Sequence, residues 1–164
     1  RLREGESAAG GVALDAQSAE DSYASHLCEG YYFVPGALKL LETLHGRCAM
    51  YIISNGNARV QDARLASSGI SKYFEKIFIS ENMGADKPSR EFFDIVIAGI
   101  PDFDPARALV VGDSLTSDIR GGRNAGLMTC WFNPKGKPPR SDIPADYEIA
   151  SLAELPGLID RIFS

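Results

Sequence analysis

The sequence predicts an α/β fold in three layers, a parallel sheet with helices on both faces, and three observations carry that prediction. Apolar runs of strand length recur at residues 48–53, 74–80, 108–111 and 128–132. Between them lie segments whose apolar residues repeat at helical spacing, with Gly, Pro and Asn marking the turns. The runs at 48–53 and 108–111 are apolar throughout, as parallel strands covered on both faces should be.

Each element has a local cause. Pro35 and Gly36 open a helix in which Ala37, Leu38, Leu41 and Leu44 recur at helical spacing, and Gly46 closes it. After the strand at 48–53, Asn55, Gly56 and Asn57 turn the chain into a helix carrying Val60, Ala63 and Ala66, which Gly69 stops. Residues 74–80 read as a short strand, and Pro88 and Ser89 start a helix with Phe92, Phe93, Val96 and Ile97 on its core face. The strand at 108–111 passes through Gly112 and Asp113 into a helix ending near Ala125 and Gly126. Residues 128–132 form a further strand, and a loop rich in Pro and Lys leads to a strand-like segment at 147–149. Ser151 and Glu154 make a capping-box pattern before a last helix at 155–163, started or kinked by Pro156.

The first thirty residues differ in character. Residues 6–11 are small and polar, and 19–28 read as a helix with Tyr23 and Leu27 on one face. Gly10 and Gly11 follow no strand and so make no dinucleotide fingerprint.

Composition narrows the class further. With 164 residues, 45% hydrophobic and 24% charged, the chain suits one globular domain or most of one. Lys and Arg number 17 against 22 Asp and Glu, a net charge of −5, so no nucleic-acid polymer is expected as a partner. No run nears the ~18 apolar residues needed to cross a bilayer, and no membrane partner is expected. Cys28, Cys48 and Cys130 are an odd number without metal-type pairing, two of them in apolar runs; they read as buried reduced thiols, suited to a reducing cytoplasm. The chain opens on Arg1 without a charged leader and apolar stretch, an opening from which we expect a natural start further upstream.

Ligands of doubly wound α/β folds bind outside the carboxyl ends of the strands, so the residues there are the candidates for chemistry. Ser54, Asn55 and Gly56 follow the first strand, Lys87 and Pro88 follow the second, and Gly112, Asp113 and Ser114 follow the third, with Asp118 close behind. Ser54 offers a hydroxyl donor. The Asn55 and Gly56 amides lie at a helix start, where an anion is favoured, and Gly56 has no side chain to obstruct it. Lys87, kept extended by Pro88, can neutralise phosphoryl oxygens. Asp113 at the end of a buried strand is an expensive charge unless paired or metal-bound, and with Asp118 it implies Mg²⁺ beside a phosphate. Each feature alone is ordinary, since Ser and Asp are common helix caps and Lys-Pro a common turn. Their order, each after its own strand, carries the argument.

The same residues resemble a known family. Ser54-Asn55-Gly56, Lys87-Pro88-Ser89 and the run from Gly112 to Asp118 resemble three motifs of haloacid-dehalogenase-like (HAD) hydrolases. Val34-Pro35-Gly36-Ala37, the segment from Ile77 to Glu81 and the segment from Thr129 to Pro134 are similar to the branch of pyrimidine nucleoside 5′-monophosphatases that act on noncanonical nucleotides. The resemblance covers roughly residues 31–163 and implies a Rossmann-like α/β/α core. It further implies Mg²⁺-dependent hydrolysis of a small phosphorylated substrate, a nucleoside monophosphate, through an aspartyl-phosphate. Ser54 would hydrogen-bond the phosphoryl group and Lys87 stabilise its charge. Asp113 would bind Mg²⁺ and Asp118 support it. The Asp113 and Asp118 pattern favours this chemistry over dehalogenation.

The family's nucleophile motif, Asp-x-Asp after an apolar strand near the N-terminus, is missing. Residues 11–15 come nearest, but Gln17 stands where the second aspartate belongs. The resemblance therefore implies that residues 1–30 are the end of a helical cap and 31–164 a core without its first strand, which would lie between the strands ending at Ser54 and Gly112. On that reading the parent is an enzyme and this chain alone is inactive. The alternative is a noncatalytic phosphate- and metal-binding or interaction module on the same fold.

Overall fold

The computed structural model describes residues 33–164; the expected helix at 19–28, the cap segment 1–30 and Cys28 lie outside that range. Helix α1 (Ala37–Leu44) leads to strand β1 (Tyr51–Ser54). Helix α2 (Ala58–Ser68) starts at Asn57, whose side chain accepts from the Val60 amide, and ends at Gly69 with a left-handed φ of 67°. A 3₁₀ turn precedes β2 (Lys76–Ile79), which runs directly into the single turn α3 (Ser80–Met83). Helix α4 (Arg90–Ala98) is capped by Ser89 and buries Phe92, Phe93 and Val96. Strand β3 (Leu109–Gly112) is followed by a wide π-type turn (Leu115–Ile119) and α5 (Arg120–Asn124). Strands β4 (Met128–Phe132) and β5 (Tyr147–Ile149) come next, then the expected capping box of Ser151 and Glu154, and α6 (Leu155–Ile162) with Pro156 in its first turn.

All ladders are parallel. Strand β1 pairs with β2, Ser54 opposite Ile79, and β3, β4 and β5 form a second ladder with Val111 opposite Cys130 and Phe132 opposite Ile149. Among the described residues no ladder joins β1 to β3, so the strands lie in two sheets. Apolar packing spans that division: Phe78 of β2, Phe92, Phe93 and Val96 of α4, and Val110 of β3 share one buried cluster. Burial of each such side chain contributes about 1.5–3 kcal/mol. A second cluster places Cys130, Ile149, Leu155 and Leu158 between the three-stranded sheet and α6, with Leu40 of α1 against it. No helix among the described residues is long and apolar enough to cross a membrane.

Three expectations need correction. The run at 48–53 forms a ladder only from Tyr51 onward, because pairing begins where Lys76 of β2 comes alongside; Ala49 and Cys48 are exposed. Neither β1 nor β3 is fully buried: every residue of β1 is half-buried, and Val111 of β3 keeps 37% of its surface. Each of these strands has a single ladder neighbour among the described residues, which leaves one flank uncovered. Cys48 is therefore not a buried thiol. Cys130 is one, and burial pushes its pKa up to about 11.

Close approach explains Gly121 but not Gly157. A Cβ on Gly121 in α5 would lie 2.3 Å from Phe93 Cε2 and 3.1 Å from Pro88 Cα, so the start of α4 rests directly on α5. Gly157 in α6 has nothing within 4 Å of the equivalent position. Alanine normally gains up to ~1 kcal/mol over glycine in a helix, whereas overpacking a core costs about 1–3 kcal/mol. The two substitutions are expected to act with opposite signs in urea denaturation: Gly157→Ala stabilises by up to ~1 kcal/mol and Gly121→Ala destabilises by about 1–2 kcal/mol. Equal effects would overturn the close-packing account of Gly121.

Candidate functional site

The carboxyl ends of β1 and β3 meet through Lys87. Its ammonium, with only 9% of the side chain exposed, donates to the Ile53 carbonyl at 3.0 Å and to Asp118 Oδ1 at 2.6 Å. Its backbone is held as tightly: the Lys87 amide donates to Asn55 Oδ1 at 2.8 Å, and Asn55 Nδ2 donates to the Lys87 carbonyl at 2.9 Å. Ser54 lies between these two anchor points. Its Oγ has one long contact, 3.4 Å to the Asn55 carbonyl, so the hydroxyl is weakly committed.

Asp118 reaches the rim because of the π-type turn before α5. The Ser114 carbonyl accepts from both Asp118 and Ile119 amides, and Ser114 Oγ caps Ser117. The widened turn folds the Asp118 side chain back, so that Oδ2 accepts from the Ser114 amide at 3.1 Å while Oδ1 faces Lys87. A Cβ on Gly112 would collide with this carboxylate, so only glycine fits beside it. Asp118 is thus the buried acid of the pair, with 11% of its side chain exposed and its charge matched by Lys87. Asp113 is the reverse of the sequence expectation. It is exposed, and its carboxylate has no hydrogen bond or ion pair among the described residues, so solvent rather than a partner carries its charge. Its carbonyl accepts from Trp131 Nε1 at 3.1 Å, an indole buried with Ile119 and Ile143.

The start of α2 is less open to an anion than the sequence suggests. The Gly56 amide donates to Ser80 Oγ at 3.1 Å, and the Ala58 amide donates to Glu81 Oε2 at 2.6 Å, with Glu81 Oε1 accepting from Asn57. The sequence gives Ser80 and Glu81 no role of their own, although both fall in the segment 77–81 that carries the resemblance. Their signal was their place immediately after β2, at the same carboxyl-end rim as Ser54 and Asp113. The side-chain roles of Asn55 and Trp131 left no such signal, because each acts on a backbone group distant in sequence.

Two further features bear on the chemistry. Asp102 and Asp104 form an Asp-x-Asp pair that precedes β3 at its other end; Asp104 accepts from the Ala106 amide and caps a 3₁₀ turn, so this pair does not meet the rim. A cleft of about 410 Å³ lined by Tyr147, Glu148, Leu158 and Arg161 lies at the β5 edge, and none of the rim residues lines it. Among the described residues no three His, Cys, Asp or Glu cluster as a metal cage. One free carboxylate and one ion-paired carboxylate still suit Mg²⁺, which takes hard oxygen donors, keeps several waters and commonly binds through one or two carboxylates.

Comparison with known proteins decides the family. The family profile for haloacid dehalogenase-like hydrolase matches residues 2–126. The chain belongs to that family. Among HAD-like relatives, it is 42% identical over 145 residues to the HAD-hydrolase YfnB of Bacillus subtilis, covering 88% of this chain and 62% of YfnB. A crystal structure of YfnB bound to magnesium superimposes with a TM-score of 0.84 over 86% of this chain and 62% of that one. The pyrimidine 5′-nucleotidase YjjG of Escherichia coli is 39% identical, covering 77% of this chain and 56% of YjjG. The pyrimidine 5′-nucleotidase PynA of Streptococcus pneumoniae is 34% identical, covering 92% and 64%. This HAD-like chain therefore spans less than two thirds of the length of each of the three.

The Lys87–Asp118 pair makes a stability test of the rim geometry. Removing one partner of a buried pair costs about 3–5 kcal/mol, somewhat less where water retains access. Lys87→Met is expected to lower the urea-denaturation free energy by about 2–4 kcal/mol. The double variant Lys87→Met, Asp118→Asn should recover at least half of that loss, since the stranded charge is gone. Additive losses would mean that the pair is not coupled.

Proposed function

We propose that these residues form the phosphoryl- and Mg²⁺-binding rim of a phosphatase that hydrolyses small phosphomonoesters, pyrimidine nucleoside 5′-monophosphates in particular. The observation that carries this reading is the meeting of Lys87, from the connection after β2, with Asp118, from the turn after β3, beside the weakly committed Ser54 hydroxyl. Such a rim places a donor and a cation where phosphoryl oxygens need both. The nucleotide assignment rests on YjjG and PynA, both named pyrimidine 5′-nucleotidases.

On this reading Ser54 donates its hydroxyl proton to a phosphoryl oxygen, and Lys87 balances the charge on another while remaining anchored to Ile53. The Asn55 and Gly56 segment borders the bound group. Asp113 would hold Mg²⁺ directly, and Asp118, occupied by Lys87 and the Ser114 amide, would support the ion's waters rather than bind it. When bound, the ion supplies Lewis-acid stabilisation of phosphoryl charge. The family's chemistry proceeds through an aspartyl-phosphate, whose aspartate belongs to an Asp-x-Asp pair that the described residues do not bring to this rim. We assign residues 1–30 to the end of a helical cap and 31–164 to the core. The free thiols Cys48 and Cys130 suit a reducing cytoplasm.

The test separates binding from turnover. Because covalent catalysis needs its nucleophile, the 164-residue chain with MgCl₂ should hydrolyse UMP no faster than a Ser54→Ala, Asp113→Asn control. Inorganic phosphate binding in the presence of Mg²⁺, followed by calorimetry, should weaken roughly tenfold in Lys87→Met, the loss of one charge-assisted contact. Turnover abolished by Asp15→Asn would place the nucleophile in this chain. Phosphate binding indifferent to Lys87 and Asp113 would overturn the proposed rim.

A further inference from the structure

We infer that the Asn55 side chain is a positioning residue, which sets Lys87 for phosphoryl binding by clamping its backbone. The inference deepens the proposed function and rests on it for the role of Lys87, but not for the clamp itself. Lys87 sits in the connection between α3 and α4, outside any strand, so no ladder satisfies its backbone. The next residue is Pro88, which has no N–H to continue a hydrogen-bonded path. Both Lys87 backbone groups nevertheless have partners, and both partners are atoms of one carboxamide: Oδ1 takes the amide at 2.8 Å and Nδ2 gives to the carbonyl at 2.9 Å. A side-chain amide carries one acceptor and two donors on a rigid plane, and here it mimics a short piece of neighbouring strand.

The other end of Lys87 is fixed by the same segment. Its Nζ donates to the carbonyl of Ile53, two residues before Asn55. Ile53 and Asn55, on either side of Ser54, therefore hold the lysine by its ammonium and by its backbone, with the Ser54 hydroxyl between the two points. A free lysine side chain carries about 2 kcal/mol of rotamer entropy, so an unanchored one would hold this place only part of the time. The clamp sets the Ser54 hydroxyl and the Lys87 ammonium in one frame before any ligand arrives. Asparagine suits the position because a shorter side chain cannot reach the Lys87 backbone and aspartate has no donor for its carbonyl.

The experiment reads Lys87 directly and needs neither metal nor turnover. Acylation of the 164-residue chain by an N-hydroxysuccinimide ester is followed lysine by lysine by mass spectrometry, with Lys39, Lys72, Lys76, Lys135 and Lys137 as internal references. Asn55→Ala should speed Lys87 acylation severalfold and leave the references unchanged. Asn57→Ala, which removes the α2 cap two residues away and costs about 1 kcal/mol, should leave Lys87 slow. If Asn55→Ala does not fold, Asn55→Asp keeps the acceptor and loses the donor, and Lys87 should again label faster than in the parent. Unchanged Lys87 labelling, or equal acceleration by Asn57→Ala, overturns the clamp. Faster labelling combined with unaltered inorganic phosphate binding supports the clamp and overturns the assignment of Lys87 to phosphoryl binding.

Discussion

The rim depends on the polar link made by the Lys87 ammonium. Strands β1 and β3 share no ladder among the described residues, yet the Ile53 carbonyl at the end of one and Asp118 just beyond the other both bond the same nitrogen. An exposed ion pair would be too weak for that task, at about 0–1 kcal/mol. This pair is largely withdrawn from water, and each partner gains one further hydrogen bond, the ammonium to the Ile53 carbonyl and the carboxylate from the Ser114 amide, which is the kind of support under which a buried pair is tolerated. Specific geometry, more than net stability, is what such a pair provides.

The two rim aspartates divide the work between a dry and a wet environment. Asp118 is packed over Gly112, and its oxygens are engaged by Lys87 and the Ser114 amide. Asp113 is exposed and its carboxylate has no partner among the described residues, while its carbonyl accepts from the Trp131 indole. That combination, a free carboxylate on a backbone held by a hydrogen bond, is what the proposed cation ligand requires. The sequence predicts Asp113 as the costly buried charge, whereas the buried acid is Asp118. It could not know that the turn after Ser114 would be of π type, since one additional residue in a turn changes which side chain folds inward.

Local signals survived into the structure and long-range ones did not. Residues 128–132, the Ser151 and Glu154 box, the Asn57 and Ser89 caps and the Gly69 stop were legible because each depends on neighbours within a few positions. The order of the candidate residues Ser54, Lys87 and Asp118 after successive strands was legible, and Lys87 lies beside Asp118 and the residues that flank Ser54. Strand limits were not, because β1 begins where β2 allows it to, at Tyr51 opposite Lys76. Glu81 went unread because a carboxylate after a strand looks like any surface charge until its two oxygens are found on the Ala58 amide and Asn57. It supplies the negative charge that the dipole of α2 favours, so that helix start is satisfied by the protein itself.

Packing beneath the rim ties the site to the core. Helix α4 carries Phe92 and Phe93 into the cluster shared by both sheets, and the same connection presents Lys87 three residues before Arg90, where the helix begins. On the other side, Gly121 lies three residues after Asp118, and its missing side chain admits both the Phe93 ring and the Pro88 backbone. Lys87 and Asp118 are therefore each a few residues from one close contact between α4 and α5. Their 2.6 Å separation is fixed from below by backbone packing as well as from above by charge. A close-packed interior transmits displacement with little compliance, so a bulkier residue at 121 would separate the two elements that carry the pair. The rim is in this sense the polar end of the hydrophobic core.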